Sequence, residues 1–278
     1  MTRTFQRTER MNPSKVKEHL QTKTLGRRGL YFRQLTSTNE IAKGLARRGL
    51  REGAIIVAET QTSGKGRLGR EWTSPEGGLW LSVMLRPNVQ SRHAAKLTLL
   101  ASVAVAKTIS KLYGLRAEVK WPNDVLLDQK KVCGILTEGE IQGHNIDFAV
   151  LGVGINANIS LKALPEHLRH SATTLKYQLK KEISRETLLC ELLKETEFYY
   201  DLFGKGEFEA ILSDWRRLAS FLGSIVEITG GEETVRGLAT DIDENGALVI
   251  RLEDQTVQRV TSGDMRIIRK EHPEFIDE

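Results

Sequence analysis

Four strand-like runs lie close together in the middle of this 278-residue chain and restrict the folds that it can adopt. They are residues 117–121, 125–127, 131–138 and 146–153, and only short turns separate them. A parallel crossover needs roughly a dozen residues or more, so consecutive strands this close must pair antiparallel. The chain is therefore predicted to contain a largely antiparallel sheet.

Apolar residues recur at helical spacing on both sides of these strands. The predicted helices are residues 40–48, 92–113, 185–203 and 207–219. Ser37-Thr38-Asn39 offers capping side chains for the first helix, and Gly114 ends the longest. Residues 54–59 and 79–85 are apolar, β-rich runs that indicate buried strands. Together these patterns predict an α+β domain over residues 25–220.

The pattern changes after Gly223. Short alternating runs cover residues 224–229, 235–240, 247–252 and 256–260. Gly230-Gly231 and Asn245-Gly246 separate them, and an Asn-Gly pair between alternating strands is a strong hairpin signal. Residues 221–270 are therefore predicted to form a small all-β barrel, and residues 271–278 a tail.

The net charge of +5 is concentrated at the N-terminus. Residues 1–33 contain nine Lys or Arg and two Asp or Glu, a net charge of +7. Residues 1–24 are therefore interpreted as a basic arm, in the simplest case a solvated tail. Such an arm can contact nucleic acid weakly and without sequence preference, but charge alone does not select a partner.

The apolar runs and the cysteines of the chain indicate the cellular compartment in which it is expected. No run approaches the ~18 residues that a membrane span requires, and the N-terminus lacks the apolar stretch of a secretion signal. Cys133 and Cys190 are far apart and have apolar neighbours, which is typical of reduced, buried thiols. A cytoplasmic protein with no membrane partner is expected.

Residues 64–70, Gly-Lys-Gly-Arg-Leu-Gly-Arg, directly follow a predicted strand, and we call them the cationic loop. Glycines let a backbone approach a ligand closely, and Lys and Arg donate charge-assisted hydrogen bonds to phosphate or carboxylate oxygens. The loop predicts an anion site, with a solvated basic loop as the alternative. Its glycines also match G-x-G-x-x-G, but Pro75 and two glycines follow where a dinucleotide fold needs a helix. No P-loop motif occurs, so a Rossmann dehydrogenase and a P-loop kinase are both disfavoured.

Polar residues also interrupt the predicted strands further along the chain. Lys120-Trp121-Pro122-Asn123-Asp124 combines groups that can neutralise an α-phosphate, contact an adenine and hold Mg²⁺. An ordinary Pro-Asn-Asp turn is the alternative. Gly134 lies inside a strand, as do Gly152 and Gly154 before Asn156, and an interior glycine often marks close approach of a ligand. These segments therefore add candidate ligand contacts.

With these motifs, the sequence resembles the biotin–protein ligase family, also called biotin–[acetyl-CoA-carboxylase] ligases. The resemblance is carried by Ser37-Thr38-Asn39, residues 61–72, residues 120–134 and residues 152–156, in the family's order. It extends from Leu25 to about Ile268. It implies a mixed, largely antiparallel sheet like that of class II aminoacyl-tRNA synthetases, with flanking helices, followed by an SH3-like barrel.

The resemblance also implies the site residues. Biotin would be bound by Ser37, Thr38, Asn39, Gln61, Lys65, Gly66, Arg67, Lys131 and Gly134. The nucleotide would be bound by Arg70, Trp72, Lys120, Asn123 and Asn156. Lys120, Lys131 and Arg67 would be catalytic, and Asp124 would bind the metal. The first loop cation is often arginine in the family, and Lys65 keeps the charge without the bidentate geometry.

The chemistry implied by the resemblance has two steps. The biotin carboxylate attacks the α-phosphate of ATP with Mg²⁺ present, giving biotinyl-5′-AMP, and a lysine of a biotin carboxyl carrier protein or domain then displaces AMP. A lipoate–protein ligase and a biotin-responsive repressor are the rival functions. A repressor of this family carries a winged-helix domain of several helices, whereas the ~35 residues that precede Ser37 here predict one short helix, residues 14–20. No sequence-specific DNA binding is therefore expected. A homodimer formed by sheet extension is a further expectation.

Overall fold

The computed structural model describes residues 10–230 and 233–270, which form a large sheet covered by helices and a smaller, separate sheet. Part of the predicted arm (residues 1–9), part of the Gly230-Gly231 turn and the predicted tail (residues 271–278) lie outside the described residues.

The large sheet contains seven strands. They are β1 (Gly29–Leu35), β2 (Ile55–Gln61), β3 (Leu79–Leu85), β4 (Ala117–Lys120), β5 (Asp124–Leu127), β6 (Lys130–Gln142) and β7 (Asn145–Ile155). Their order is β1-β2-β3-β7-β6-β5-β4, and only the β1–β2 pair is parallel. The prediction of a mixed, largely antiparallel sheet is confirmed. Strand β1 was not predicted, because its exposed, polar half resembles the basic segment before it.

Six helices accompany this sheet in the described part of the chain. They are α1 (Pro13–His19), α2 (Thr38–Ala46), α3 (Ala94–Tyr113), α4 (Leu175–Leu179), α5 (Arg185–Gly204) and α6 (Phe208–Leu218). The short helix predicted at residues 14–20 corresponds to α1, and the four longer predicted helices correspond to α2, α3, α5 and α6. Gly114 ends α3 with φ of 66°, a left-handed conformation that glycine adopts without strain.

Side-chain alternation along the strands divides the core between the two faces of the sheet. Odd-numbered residues of β3 and β7, such as Leu81 and Leu151, join the core that α3, α5 and α6 cover. Even-numbered residues such as Met84 and Val150 face the opposite side and pack with Ala42 of α2. The sheet therefore lies between two helical layers.

The α2 side of the sheet changes along the strands from apolar to polar and open. Beyond Met84 and Val150, the same rows continue with Ser82 and Gly152. Gly154 follows, paired with Gly134 of β6. Glycines leave the sheet surface without side chains there, so a cavity can form over the ends of the strands.

The predicted barrel segment forms a five-stranded antiparallel sheet. Its strands are β8 (Ser224–Gly230), β9 (Glu233–Ile242), β10 (Leu248–Arg251), β11 (Val257–Val260) and β12 (Asp264–Lys270). Their order is β11-β10-β9-β8-β12, and Asn245-Gly246 lies in the β9–β10 turn with φ of 87° at Gly246. Trp215 of α6 contacts Phe221 edge to face, with ring centroids 5.9 Å apart. The small sheet therefore begins directly at the helical layer.

The interpretation of residues 1–24 as a solvated arm is wrong for residues 11–24. Val16 of α1 is buried together with Met11 and Leu20, and α1 packs against α5. Glu197 of α5 accepts three backbone N–H bonds from residues 23–25, at 2.6 to 2.9 Å. The charge count obscured the spacing of Val16, Leu20 and Leu25, which places apolar side chains on the docked side.

Both cysteines are buried free thiols, as predicted. Burial raises the pKa of Cys190 to about 11, and that of Cys133 rises further for the same reason. Within residues 10–230 and 233–270, no helix is both long and apolar enough to span a membrane.

Candidate active site

A cavity of about 260 Å³ opens over the glycine-lined end of the large sheet. Most residues singled out from the sequence line it: Ser37, Thr38, Asn39, Gln61, Lys65, Gly66, Arg67, Arg70, Trp72, Asn123, Asp124, Lys131, Gly134 and Asn156. Lys120 is the one predicted site residue that does not line it. Residues separated by more than a hundred positions thus meet in one concave site.

Hydrogen bonds fix the start of α2 against the sheet. The backbone N–H and the hydroxyl of Thr38 lie 2.8 and 3.1 Å from Gln61 Oε1. Asn39 Nδ2 donates to Leu136 O at 3.1 Å and to Glu138 Oε2 at 2.8 Å. Ser37 occupies the N-cap position as predicted, but its side chain makes no capping hydrogen bond. Thr38 and Asn39 therefore serve the wall of the cavity, and the predicted capping role of these side chains is wrong.

The cationic loop is ordered as a narrow hairpin at the mouth of the cavity. Gly66 N–H donates to Arg70 O, and Trp72 N–H donates to Gly64 O, both at 2.8 Å. Leu68 at the tip is exposed and has φ of 55°. The loop thus has a defined backbone conformation, although Lys65 and Arg70 remain exposed to solvent as in the alternative of a solvated basic loop.

Each loop cation has a defined partner. Lys65 Nζ forms an ion pair with Glu40 Oε1 at 2.7 Å. Arg67 Nη1 donates to Gly263 O at 3.2 Å, and burial lowers its pKa. Arg70 forms an ion pair with Asp264. The last two contacts join the loop to the start of β12 in the small sheet.

The indole of Trp72 lies flat against the two paired glycines of the sheet. A Cβ at Gly154 would lie 2.6 Å from Trp72 Nε1, and one at Gly134 would lie 2.9 Å from its Cζ3 atom. Trp72 Nε1 is buried and has no hydrogen-bond partner in the described part of the chain. The glycines are therefore required for this ring position, and the indole N–H is buried against the sheet without a partner among the described residues.

An acid and two lysines provide the charge on the opposite wall. Lys131 Nζ lies 2.6 Å from Asp124 Oδ1 and 5.1 Å from the centre of the Trp72 ring. Lys120 ends β4 opposite Asp124 in β5, and Asp124, Lys131 and Asp264 all act on its charge. Burial lowers the pKa of Lys120. Lys120 thus lies beside Asp124 but does not line the cavity.

Two amides at this site are held by the backbone. Asn123 Nδ2 donates to Ile135 O at 2.8 Å, and Asn156 Nδ2 donates to Thr173 O at 3.1 Å. Arg67 Nη1 lies 3.4 Å from Asn123 Oδ1. Both amide side chains are therefore held in place before any ligand binds.

Sequence reasoning missed several parts of the cavity wall. Asp264 comes from β12, which was not predicted, although Met265 and Ile267 alternate there with arginines. Leu164, Leu168, Ser171 and Ala172 come from a segment between β7 and α4 that has no periodic pattern. Only the fold brings these residues to the site.

Comparisons with known proteins agree with this arrangement. Residues 31–156 match the Biotin/lipoate A/B protein ligase family, and residues 221–266 match the Biotin protein ligase C terminal domain. The chain is 32% identical over 259 residues to a bifunctional ligase/repressor BirA of Bacillus subtilis, covering 93% of this chain and 79% of that protein. The chain belongs to the biotin–protein ligase family.

Two further relatives support membership of the biotin–protein ligase family. A biotin–[acetyl-CoA-carboxylase] ligase of Paracoccus denitrificans is 31% identical over 221 residues, covering 77% of this chain and 90% of that one. The structure of a biotin protein ligase of Aquifex aeolicus in complex with biotin and ATP superimposes with a TM-score of 0.76 and 29% identity. It covers 87% of this chain and 99% of the other. The predicted family and fold class are confirmed.

The glycine contacts give a test of the site of this biotin–protein ligase. Gly154→Ala is expected to displace the Trp72 ring, because the new Cβ overlaps the indole. ATP binding should then weaken about tenfold, which corresponds to about 1.4 kcal/mol. Gly44→Ala is the control, since nothing lies within 4 Å of a Cβ there. ATP affinity measured by calorimetry decides the matter. Unchanged affinity in Gly154→Ala would contradict the placement of Trp72 in the nucleotide site.

Proposed function

We propose that this chain activates biotin with ATP to form biotinyl-5′-AMP and then transfers biotin to a lysine of a carboxyl carrier protein. The observation that carries the proposal is the cavity itself. It combines an ordered cationic loop, a tryptophan with a free indole N–H and a Lys131–Asp124 pair, in a member of the biotin–protein ligase family.

Adenylation brings a carboxylate against a phosphate, so the site must position two anions and stabilise growing negative charge. Lys131 and the loop cations line the cavity and can do both. Lys120 adds charge from its place beside Asp124. No side-chain nucleophile is required, because biotin supplies the attacking oxygen and pyrophosphate leaves.

The individual residue roles are proposed from the family resemblance, and the shared cavity supports them. Ser37, Thr38, Asn39 and Gln61 would hold biotin beside α2, with Lys65, Gly66, Arg67, Lys131 and Gly134 near its carboxylate. Arg70, Trp72, Asn123 and Asn156 would hold the nucleotide, with Lys120 acting on the α-phosphate. The hairpin of the cationic loop would limit access of water to the mixed anhydride.

Mg²⁺ is proposed as the accompanying metal. It is commonly held by one or two carboxylates together with substrate phosphates, so Asp124 with Asn123 beside it suits a metal that arrives with ATP. Bound Mg²⁺ would neutralise triphosphate charge.

The decisive experiment incubates the enzyme with ATP, Mg²⁺, a carrier domain and biotin, followed by mass measurement of the carrier. A gain of one biotinyl group is expected, together with equal release of AMP. A parallel reaction with lipoate tests the rival acyl group. A lipoyl gain without a biotinyl gain would overturn the assignment.

Other partners remain predictions. A cytoplasmic location and a homodimer are proposed from the family, and β1 offers an edge that is unpaired within the described chain. We expect no sequence-specific DNA binding from residues 10–36, because Val16 and Leu20 of α1 are used in docking. Tight binding to one promoter sequence at physiological salt would contradict this expectation.

A further inference from the structure

Two carboxylates from outside the cationic loop bind its first and last cations. Glu40, in the first turn of α2, pairs with Lys65 at 2.7 Å. Asp264, the first residue of β12, pairs with Arg70. The two acids belong to different parts of the fold and lie on opposite sides of the hairpin.

The Glu40 contact is part of a small network. Lys43 of the same helix contacts Glu40 at 2.9 Å and Glu138 at 2.5 Å. Hydrogen bonds from Lys65 and Lys43 lower the pKa of Glu40 to about 2. Glu40 is therefore ionised at neutral pH, and it faces Lys65 as a full negative charge.

The Asp264 contact also reaches the cavity. Asp264 lines the cavity together with Arg70, and the preceding Gly263 accepts a hydrogen bond from Arg67. The small sheet therefore holds the second half of the cationic loop at two adjacent points.

We propose that Glu40 and Asp264 are positioning residues that hold the ligand-free loop by occupying Lys65 and Arg70, and that anionic ligands must displace them. This inference rests on the proposed function for the identity of the ligands, a carboxylate near Lys65 and a triphosphate near Arg70. A carboxylate that occupies a cation competes directly with a ligand oxygen for it. Neutralising either acid should therefore strengthen binding, whereas an acid with a purely structural role would weaken binding when removed.

The size of the effect follows from exposure. The side chains of Lys65 and Glu40 are 50% and 38% exposed, and those of Arg70 and Asp264 are 64% and 37% exposed. Ion pairs exposed to this degree contribute modestly, which corresponds to a change of about two- to fivefold in a dissociation constant.

Calorimetric titration of the full chain tests the competition. Glu40→Gln is expected to lower the dissociation constant of biotin two- to fivefold, and Asp264→Asn that of ATP by a similar factor. Each gain should vanish when the partner cation is already removed, in Lys65→Gln/Glu40→Gln and Arg70→Gln/Asp264→Asn. Weaker binding in both acid variants, or gains that persist without the partner cation, would overturn the proposal.

Limited trypsin digestion provides a second test that needs no ligand. Cleavage after Arg67 should be several times faster in Glu40→Gln and Asp264→Asn than in the wild type, because one end of the hairpin is released. Glu76→Gln is the matched control, since Glu76 is exposed and forms no ion pair in the described chain. Equal cleavage in all four proteins would also overturn the proposal. If the wild type binds neither biotin nor ATP, the proposed function fails, and digestion still decides whether the acids hold the loop.

Discussion

Replacing Lys120 with alanine is expected to slow formation of the biotinyl adenylate by ~10²–10³, or about 3–4 kcal/mol, while biotin binding stays close to that of the wild type. The reason is that Lys120 lies beside Asp124 without lining the cavity, so its loss should leave the biotin contacts in place but remove a positive charge that acts as negative charge develops at the α-phosphate. Pyrophosphate release at saturating ATP and biotin measures this step.

Lys130→Ala is the matched control for Lys120→Ala. Lys130 precedes Lys131 in β6, so its side chain points to the opposite face of the sheet, and it forms no ion pair in the described residues. The pH profile adds a second criterion. Because burial lowers the pKa of Lys120, the adenylation rate should fall with rising pH earlier than an ordinary lysine would cause. A Lys120→Ala rate within twofold of the wild type would exclude Lys120 from the mechanism.

Arg185→Met is expected to lower the free energy of unfolding by about 3–5 kcal/mol. Arg185 begins α5 and is only 4% exposed, and its Nη1 donates to Glu59 Oε2 at 2.8 Å and to Gly78 O at 2.9 Å. Glu59 also accepts the backbone N–H of Met11 at 2.7 Å. Removing the guanidinium leaves a poorly solvated carboxylate where α5, β2 and the N-terminal segment meet. Urea unfolding followed by circular dichroism measures the loss.

Two comparisons isolate the effect of burial on the Arg185–Glu59 pair. Lys176 and Glu182 lie 2.7 Å apart with side chains 40% and 42% exposed, so Lys176→Met should cost no more than about 1 kcal/mol. Glu59→Gln/Arg185→Met removes both charges and should recover part of the loss of Arg185→Met. If Arg185→Met were as stable as Lys176→Met, burial would not strengthen the contribution of the Arg185–Glu59 pair to stability.

The sequence predicted the strands well where a local pattern was enough to determine how they pair. The central strands were found because tight turns leave only antiparallel pairing, and the Asn245-Gly246 hairpin because its φ requires glycine. Strand β1 and the docking of helix α1 were missed because both lie in a charged segment whose few apolar residues pack against distant β2 and α5. Such packing is decided by tertiary contacts, which short-range periodicity does not record.

The sequence predicted most residues of the site but not the ion pairs between them. The motifs identified the cations and amides, but not that Glu40 and Asp264 would bind Lys65 and Arg70. These pairs join positions 25 and 194 residues apart, and no local pattern couples them. Lys120 was expected in the site with Lys131, yet it lies beside Asp124 in the strand pair and does not line the cavity.

The position of Trp72 predicts a fluorescence signal for ligand binding. The chain has four tryptophans, and Trp80, Trp121 and Trp215 are at most 2% exposed in the described structure. Their fluorescence should be blue-shifted, and that of Trp121 and Trp215, which do not line the cavity, should be insensitive to added substrate. Trp72 alone combines a place in the cavity wall with an unpartnered indole N–H, judged over the described residues. A change in emission on adding ATP or biotin would therefore report occupancy of this site directly, without a label.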